Sequence, residues 1–235
     1  MSKINLTVKC THNGRYNVFT IVGDEYIGPA IQRGFEWDGW MREDVEKYYV
    51  PGTEILDIGA NIGYNSLMFS DYGPVYAFEP IFHKIVELNI ENNKLKHKMY
   101  SVPVALSNNS EPVNMYLANE VKSTGLRNYG GTSIYTDEGT DHSSETKVEC
   151  RRLDDIYSGR VSFIKLDVEG HELQVLEGAR DVLTNHLPTL LVELIDYEGS
   201  KVPLFLKDLG YTMDPIERPE KMFLFPSPRT YSAPG

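Results

Sequence analysis

The chain is expected to fold as an α/β domain built on a doubly wound, mostly parallel sheet. Three observations carry that expectation. Short apolar runs at about 53–58, 75–79, 99–104, 161–167 and 189–195 alternate with helical stretches at about 63–71, 80–92, 171–184 and 200–209, the pattern of strands joined by crossover helices. The first apolar run breaks directly into a glycine-rich turn, Asp57-Ile58-Gly59-Ala60-Asn61-Ile62-Gly63. With 235 residues and 41% hydrophobic composition the sequence supports one large domain with a full core. Within a single domain spanning 1–235 we expect a lead-in over 1–50, the core over 53–226 and an inserted loop over 118–147.

In the lead-in, Ile4 to Val8 and Tyr16 to Val22 alternate like strands on either side of Asn13-Gly14, so a hairpin is predicted. Arg42 to Tyr49 reads as a short helix stopped by Pro51-Gly52. Ile55, Leu56 and Ile58 then form a buried strand, and Gly59 and Gly63 let the next turn approach other groups closely before a helix opens. Pro80 falls where a first-turn proline is favoured. Leu173, Leu176, Ala179 and Leu183 recur at helical spacing, with Val175 and Val182 beside them, predicting one helix over 171–184.

Residues 118–147 interrupt the alternation and are rich in Gly, Ser, Thr and Asn, as functional loops of this length often are. Val113 to Leu117 and Thr146 to Arg151 flank the loop and are suited to pair. The tail, Tyr211 to Met213 and Met222 to Phe225 across Asp214 to Glu220, is expected to close the sheet as an antiparallel hairpin. There are no internal repeats.

The formal charge of −11 argues against a nonspecific grip on phosphate backbones, so no nucleic-acid partner is expected. The basic cluster Lys94, Lys96, His97 and Lys98 reads first as a solvated helix end complementing the dipole. Cys10 and Cys150 are too few and too distant for a disulfide framework or zinc site. Met1 to Leu6 lacks the apolar core of a signal peptide, and nowhere do eighteen apolar residues run together. A soluble, cytoplasmic protein without membrane insertion is the expectation.

Spacing narrows the ligand of the glycine turn. A dinucleotide fingerprint places its second glycine where the pyrophosphate approaches the backbone, and Asn61 holds that place. Asp57-x-Gly59-x-x-x-Gly63 instead resembles the first motif of class I S-adenosylmethionine-dependent methyltransferases, in which the turn wraps a ligand without phosphate. Glu79, twenty residues beyond Gly59 at the end of Val75-Tyr76-Ala77-Phe78, stands where a carboxylate accepts both ribose hydroxyls of an adenosine.

The second half narrows the match further. Leu56 to Tyr64, Phe78-Glu79-Pro80, Ala105-Leu106-Ser107, Arg152 to Asp155, Ile164 to Glu172 and Leu191-Val192-Glu193 together resemble the FkbM family of methyltransferases, over roughly residues 20–210. The resemblance implies a Rossmann-like class I methyltransferase fold whose mostly parallel sheet ends in a C-terminal antiparallel strand. It also implies S-adenosylmethionine as cofactor, S-adenosylhomocysteine as product, and O-methylation of a small-molecule or glycan acceptor, often a sugar or polyketide-derived hydroxyl. Carried onto this sequence, the donor-binding set is Asp57, Gly59, Ala60, Asn61, Gly63, Glu79, Pro80, Ala105, Leu106 and Asp167.

Lys165-Leu166-Asp167-Val168-Glu169-Gly170-His171-Glu172 is the second informative site. Asp167 falls at the carboxyl end of a core strand, on the rim where open α/β sheets bind ligands. A hydroxyl acceptor is a weak acid and needs a base, for which Asp167, Glu169 and His171 are the candidates. The alternatives are that Asp167 or Glu169 caps the following helix and that His171 is merely solvated.

Glu193 lies inside the apolar run Leu190 to Ile195, where an unpaired charge is costly. A divalent cation such as magnesium, held by Asp167 and Glu193, is one way to satisfy it; a shared proton or hydrogen bonds to backbone amides is the other. Trp37-Asp38-Gly39-Trp40 offers aromatic faces for an acceptor or simply packs, and Tyr129, Gly130 and Gly131 are candidates for a lid. Three other readings stay open: methylation of another small molecule, of RNA or protein, or a noncatalytic module retaining the fold. No Asn-Pro-Pro-Tyr-like motif is present.

Overall fold

The computed structural model describes residues 6–120, 123–136 and 142–229. Ile4 and Asn5 of the expected first strand, and 121–122 and 137–141 of the expected loop, lie outside the described residues. The lead-in pairs β1 (Val8–His12) with β2 (Asn17–Ile21) antiparallel, in register Val8↔Ile21 through His12↔Asn17. Its first strand is therefore 8–12 rather than 4–8. The Asn13 side-chain oxygen accepts the Arg15 and Tyr16 amides, at 3.1 and 2.9 Å, and closes so tight a turn that the residues just before it must pair.

Helix α1 (Ile27–Gln32), which the sequence reading did not anticipate, follows where Asp24 Oδ2 accepts the Gly28 amide at 2.6 Å. Next come α2 (Met41–Tyr48), β3 (Glu54–Ile58), α3 (Tyr64–Phe69), β4 (Val75–Phe78), α4 (His83–Glu91) and β5 (Met99–Val102). The insertion holds β6 (Ala105–Leu106), β7 (Val113–Met115), β8 (Thr146–Val148) and β9 (Cys150–Arg151). The second half adds α5 (Leu153–Ile156), β10 (Val161–Leu166), α6 (Glu172–Glu177), α7 (Arg180–His186), β11 (Thr189–Glu193), α8 (Val202–Asp208), β12 (Ile216–Glu217) and β13 (Met222–Phe225).

Seven of these strands form one sheet in the order β12-β13-β11-β10-β3-β4-β5. The run from β11 to β5 is parallel throughout, and β13 is antiparallel to both β11 and β12. The chain winds outward from β3 through β4 to β5, then restarts beside β3 with β10 and winds the other way. This reversal opens a crevice at the carboxyl ends of β3 and β10, where ligands of such sheets bind.

Helices cover both faces. One core gathers Ile55, Phe163 and Leu191 against the lead-in, α3 and α4, and the other gathers Leu56, Ile164 and Val192 against the helices of the second half. Strand alternation therefore puts Asp57, Lys165 and Glu193 on the face of Ile55, Phe163 and Leu191. Lys165 stands directly opposite Asp57 in the β10–β3 register.

Pro80 lies outside α4, because the Glu79 carboxylate accepts the Ile81 and Phe82 amides and delays the helix to His83. The helix expected over 171–184 is two: Gly178 packs so closely on the Ser107 carbonyl that a Cβ would meet it at 2.0 Å, and its own carbonyl accepts the Asp154 amide at 3.0 Å instead of continuing the helix. Asp154 then caps α7 by accepting the Asp181 and Val182 amides, at 3.2 and 3.0 Å.

In the tail, the strand pairing with β13 is Ile216–Glu217, not Tyr211–Met213, and the reversed strand lies inside the sheet rather than at its end. Tyr211 is buried, and its hydroxyl donates to the Pro188 carbonyl at 2.6 Å, which keeps that segment out of the sheet. In the insertion, β7 and β8 pair antiparallel as expected, but Cys150–Arg151 leaves to pair in parallel with β6. Cys10 and Cys150 are both free thiols, and no described helix is long and apolar enough to cross a membrane.

Candidate functional site

A cavity of about 390 Å³ opens at the crevice between β3 and β10, within the size range of small-ligand sites. Its floor is the turn after β3. Gly59 has φ 78°, and a Cβ there would sit 1.7 Å from the Asp167 carbonyl oxygen, so only glycine lets the two loops meet. Gly63, at φ 80°, packs on Val86 and Met99 and does not line the cavity.

The turn spends its amides internally. Gly59 and Ala60 N–H donate to the Phe78 carbonyl at 3.1 Å, and Gly63 N–H to the Ala60 carbonyl at 2.7 Å. The Ile62 amide donates to Asn61 Oδ1 and the Asn61 amide to Glu79 Oε2, at 2.7 and 3.0 Å. Asn61 adopts φ 53°, a left-handed conformation that asparagine tolerates. None of these amides is left to bind a phosphate.

Glu79 is buried at the lip of the cavity, and burial raises its pKa to about 7 against the opposing pull of three backbone amides. Oε1 accepts the Ile81 and Phe82 amides at 2.7 and 3.0 Å, while Oε2 accepts only Asn61. A carboxylate has about four acceptor positions, so capacity remains on Oε2 for a ligand hydroxyl. Pro80, Ala105 and Leu106 line the wall beside Glu79.

Asp57 lies beneath the cavity without lining it. Fully buried, it accepts the Ser66 hydroxyl at 2.5 Å and faces Lys165 Nζ at 3.5 Å. Lys165 in turn donates to the Gly59 carbonyl at 2.8 Å and pairs with Asp167 at 3.2 Å, so one ammonium joins the turn to the rim. Its pKa is raised: burial opposes the charge, and the neighbouring carboxylates Asp167 and Asp57 outweigh it.

The rim is acidic. Carboxylate oxygens of Asp167, Glu169 and Glu193 lie within 4.8 Å of one another. Burial first, then the neighbouring Asp167, raises Glu169 to about 7 and Glu193 to about 9. Glu193 Oε2 is buried without a hydrogen-bond partner. Neither Asp167 nor Glu169 caps α6, whose first turn has no side-chain cap; Glu172, its first residue, reaches back to accept the Val168 and Gly170 amides at 3.1 Å. His171 lines the cavity, but its Nε2 meets Ser107 Oγ at 2.9 Å and its Nδ1 meets the Tyr135 hydroxyl at 3.1 Å. Burial lowers its pKa.

The roof comes from two segments. Tyr26, Ile27, Trp37 and Asp38 reach over from the lead-in, and Asn128 to Gly130, Thr132 and Ile134 from the insertion. Asp24 clamps the two together by accepting both the Gly28 and Tyr129 amides, and Asn61 Nδ2 reaches the Tyr129 carbonyl at 3.4 Å. Tyr129 and Gly130 therefore line the cavity, whereas Gly131 lines a second one. Trp37 lines the cavity, whereas Trp40 packs on the core without lining it.

Sequence reasoning passed over Lys165, Asn65, Asp38 and Glu220, all of which line the cavity. Asp38 takes φ 50° and accepts Asn65 Nδ2 at 3.0 Å, and burial raises its pKa. Lys165 carried a usable signal, a lone lysine amid the apolar residues of a core strand. Glu220 sits in the turn before β13 and had none.

Residues 57–213 match the family described as the methyltransferase FkbM domain. The chain is 27% identical over 202 residues to Methyltransferase 1 of Beauveria bassiana (strain ARSEF 2860), covering 71% of this chain and 74% of that protein. Among solved structures it is similar to Methyltransferase FkbM from Methylobacillus flagellatus KT, at 20% identity and a TM-score of 0.47. That match covers 78% of this chain but spans only 50% of the other. Precorrin-6y C5,15-methyltransferase from Geobacter metallireducens GS-15 matches at 16% identity and a TM-score of 0.37, covering 79% of this chain and 85% of that one.

Proposed function

The chain belongs to the methyltransferase FkbM family, and from that premise we propose that it is an S-adenosylmethionine-dependent O-methyltransferase acting on a sugar or glycan hydroxyl. The observation that carries the donor assignment is the inward use of every amide from Gly59 to Gly63, beside a buried carboxylate with acceptor capacity to spare. Such a turn suits a nucleoside without phosphate and rejects a pyrophosphate. When bound, S-adenosylmethionine supplies an electrophilic methyl carbon on its sulfonium.

The protein's part is to bind, orient and take up a proton. Glu79 accepts ribose hydroxyls, and Pro80, Ala105 and Leu106 bound the apolar side of the same pocket. Lys165 fixes the Gly59 carbonyl against Asp167, holding the donor turn and the acceptor rim at one spacing. That alignment accounts for a large part of the expected rate.

Glu169 is the base in this reading. It lines the cavity, and its pKa of about 7 matches neutral pH, where a general base works best. His171 has both ring nitrogens engaged and a lowered pKa, which suits holding Tyr135 and Ser107 in place. Six carboxylates line the site, Asp38, Glu79, Asp167, Glu169, Glu193 and Glu220, and they disfavour an RNA acceptor. Two free cysteines suit a reducing, cytoplasmic compartment.

A second reading adds a divalent cation held by Asp167, Glu169 and Glu193, supported by their mutual closeness and the unpartnered Glu193 Oε2. Three carboxylates suit a hard cation such as magnesium, although Lys165 competes for Asp167. The decisive experiment has two stages. Calorimetry with S-adenosylmethionine and S-adenosylhomocysteine comes first; no measurable binding of either overturns the enzyme reading and favours a noncatalytic module. An acceptor screen with radiolabelled methyl donor, run with magnesium and with chelator, then tests the substrate class and the cation together.

A further inference from the structure

Residues 129–136 run as a partition between two cavities. Tyr129, Gly130, Thr132 and Ile134 line the larger one, whereas Gly131, Ser133, Tyr135 and Thr136 line a second of about 280 Å³. From Gly131 to Tyr135 the sides alternate, as successive residues of an extended segment do. The opposite wall is the segment from Tyr116 to Asn119. It is bridged to the partition by Tyr116 N–H to the Ser133 carbonyl at 2.8 Å and Ser133 N–H to the Tyr116 carbonyl at 3.1 Å.

Among the described residues, Glu169 alone lines both cavities. Its backbone, at φ 55°, is pinned to the partition where Ser133 Oγ donates to its carbonyl oxygen at 3.0 Å. Glu169 is thus the residue at which the two cavities meet.

We propose that the second cavity is an acceptor subsite for a neutral, polyhydroxylated ring, a carbohydrate unit remote from the hydroxyl that reacts at Glu169. This rests on the methyl-transfer reading of the larger cavity. The lining chemistry selects that class. Tyr116 and Tyr135 line it, aromatic residues of the kind on which the carbon face of a sugar packs, with their hydroxyls held at Glu145 and at His171. Thr136 supplies a hydroxyl, while the Ser133 hydroxyl is engaged with the Glu169 carbonyl and the Tyr135 amide. No lysine, arginine or histidine lines it among the described residues, so a phosphate or carboxylate on the ligand meets no countercharge, only Glu169. The volume sits at the small end of ligand sites, roughly 300 Å³, which suits one ring rather than a long apolar chain.

The test uses the full chain saturated with S-adenosylhomocysteine and saturation-transfer NMR against a fixed panel: methyl α-glucoside, methyl β-galactoside, maltose, cellobiose and lactose. At least one disaccharide should receive saturation on both rings in the unaltered protein. Thr136→Trp, at an exposed position that fills the cavity, and Tyr116→Ala should each reduce transfer to one ring by about fivefold. Both should hold S-adenosylhomocysteine affinity within about twofold, because neither touches the larger cavity. Silence from the whole panel, or transfer unchanged in both variants, overturns the subsite. Failure of the unaltered protein to bind S-adenosylhomocysteine falls instead on the methyl-transfer reading, and calorimetry reads it separately.

Discussion

The backbone amide of Asn61 donates to Glu79 Oε2 at 3.0 Å, which ties the turn after β3 to the end of β4 and orients the carboxylate at the cavity lip. Substituting Glu79→Gln keeps the shape but leaves the side chain able to accept on one side only. If its oxygen serves Ile81 and Phe82, its NH₂ faces the Asn61 amide, donor against donor. The lost charge and lost acceptor should cost about 1–3 kcal/mol of binding, or roughly 5–150-fold in S-adenosylhomocysteine affinity. Calorimetry measures it, and an unchanged Kd removes Glu79 from the donor site.

Asp57 should act on stability rather than by contact with the donor. Its removal strips Ser66 of an acceptor and leaves buried Lys165 with Asp167 as its remaining carboxylate partner at salt-bridge distance. Asp57→Ala is expected to cost about 3–5 kcal/mol in urea unfolding, as breaking a buried pair usually does. Adding Lys165→Met should recover part of that loss, because the buried ammonium that has lost one of its two carboxylates goes too. Fully additive losses would show that the pair does not interact.

The parallel strands were legible because burial on both faces writes itself as unbroken apolar runs, and the turn because only glycine permits the approach of Asp167 to Gly59. The break between α6 and α7 was hidden: Leu173 to Leu183 keep helical spacing across it, and what fixes it, Asp154 bonded to the Gly178 carbonyl and to the Asp181 and Val182 amides, is a contact between segments distant in sequence. The site divides the same way. Glu79, Asp167 and Glu169 stand at strand ends that sequence can locate. Asp38 and Glu220 arrive from a loop and a turn whose placement depends on the tertiary fold.

Turnover should report the titration of Glu169. With its pKa near 7, the carboxylate is protonated and idle below that value and able to take a proton above it. The rate is therefore expected to rise with pH through about 7 and level off, when measured at saturating donor and acceptor. Glu169→Gln should lower kcat by roughly 10²–10⁴-fold, the usual worth of a positioned base. His171→Ala should cost about tenfold or less, since it loses only the contacts to Tyr135 and Ser107. A His171 variant as inactive as the Glu169 variant would reverse the two roles.

Glu193 links the rim to folding stability. Burial and the nearby Asp167 raise its pKa from 4.5 to about 9 in the folded chain, which holds a proton that the unfolded chain has already released. Stability is therefore greatest below the lower value and declines as pH rises through this window. Between pH 6 and 8 one retained proton corresponds to on the order of 2 kcal/mol, roughly 4–8 °C in Tm for a chain of this size. Glu193→Gln, neutral at every pH, should flatten that slope and melt higher than the unaltered protein at pH 8. Magnesium separates the two ways of satisfying the carboxylate. If Asp167, Glu169 and Glu193 hold a cation, millimolar magnesium at pH 8 takes the proton's place and raises the Tm of the unaltered protein but not of Glu193→Gln. If they share a proton instead, magnesium moves neither, and the rate in the acceptor screen is indifferent to chelator.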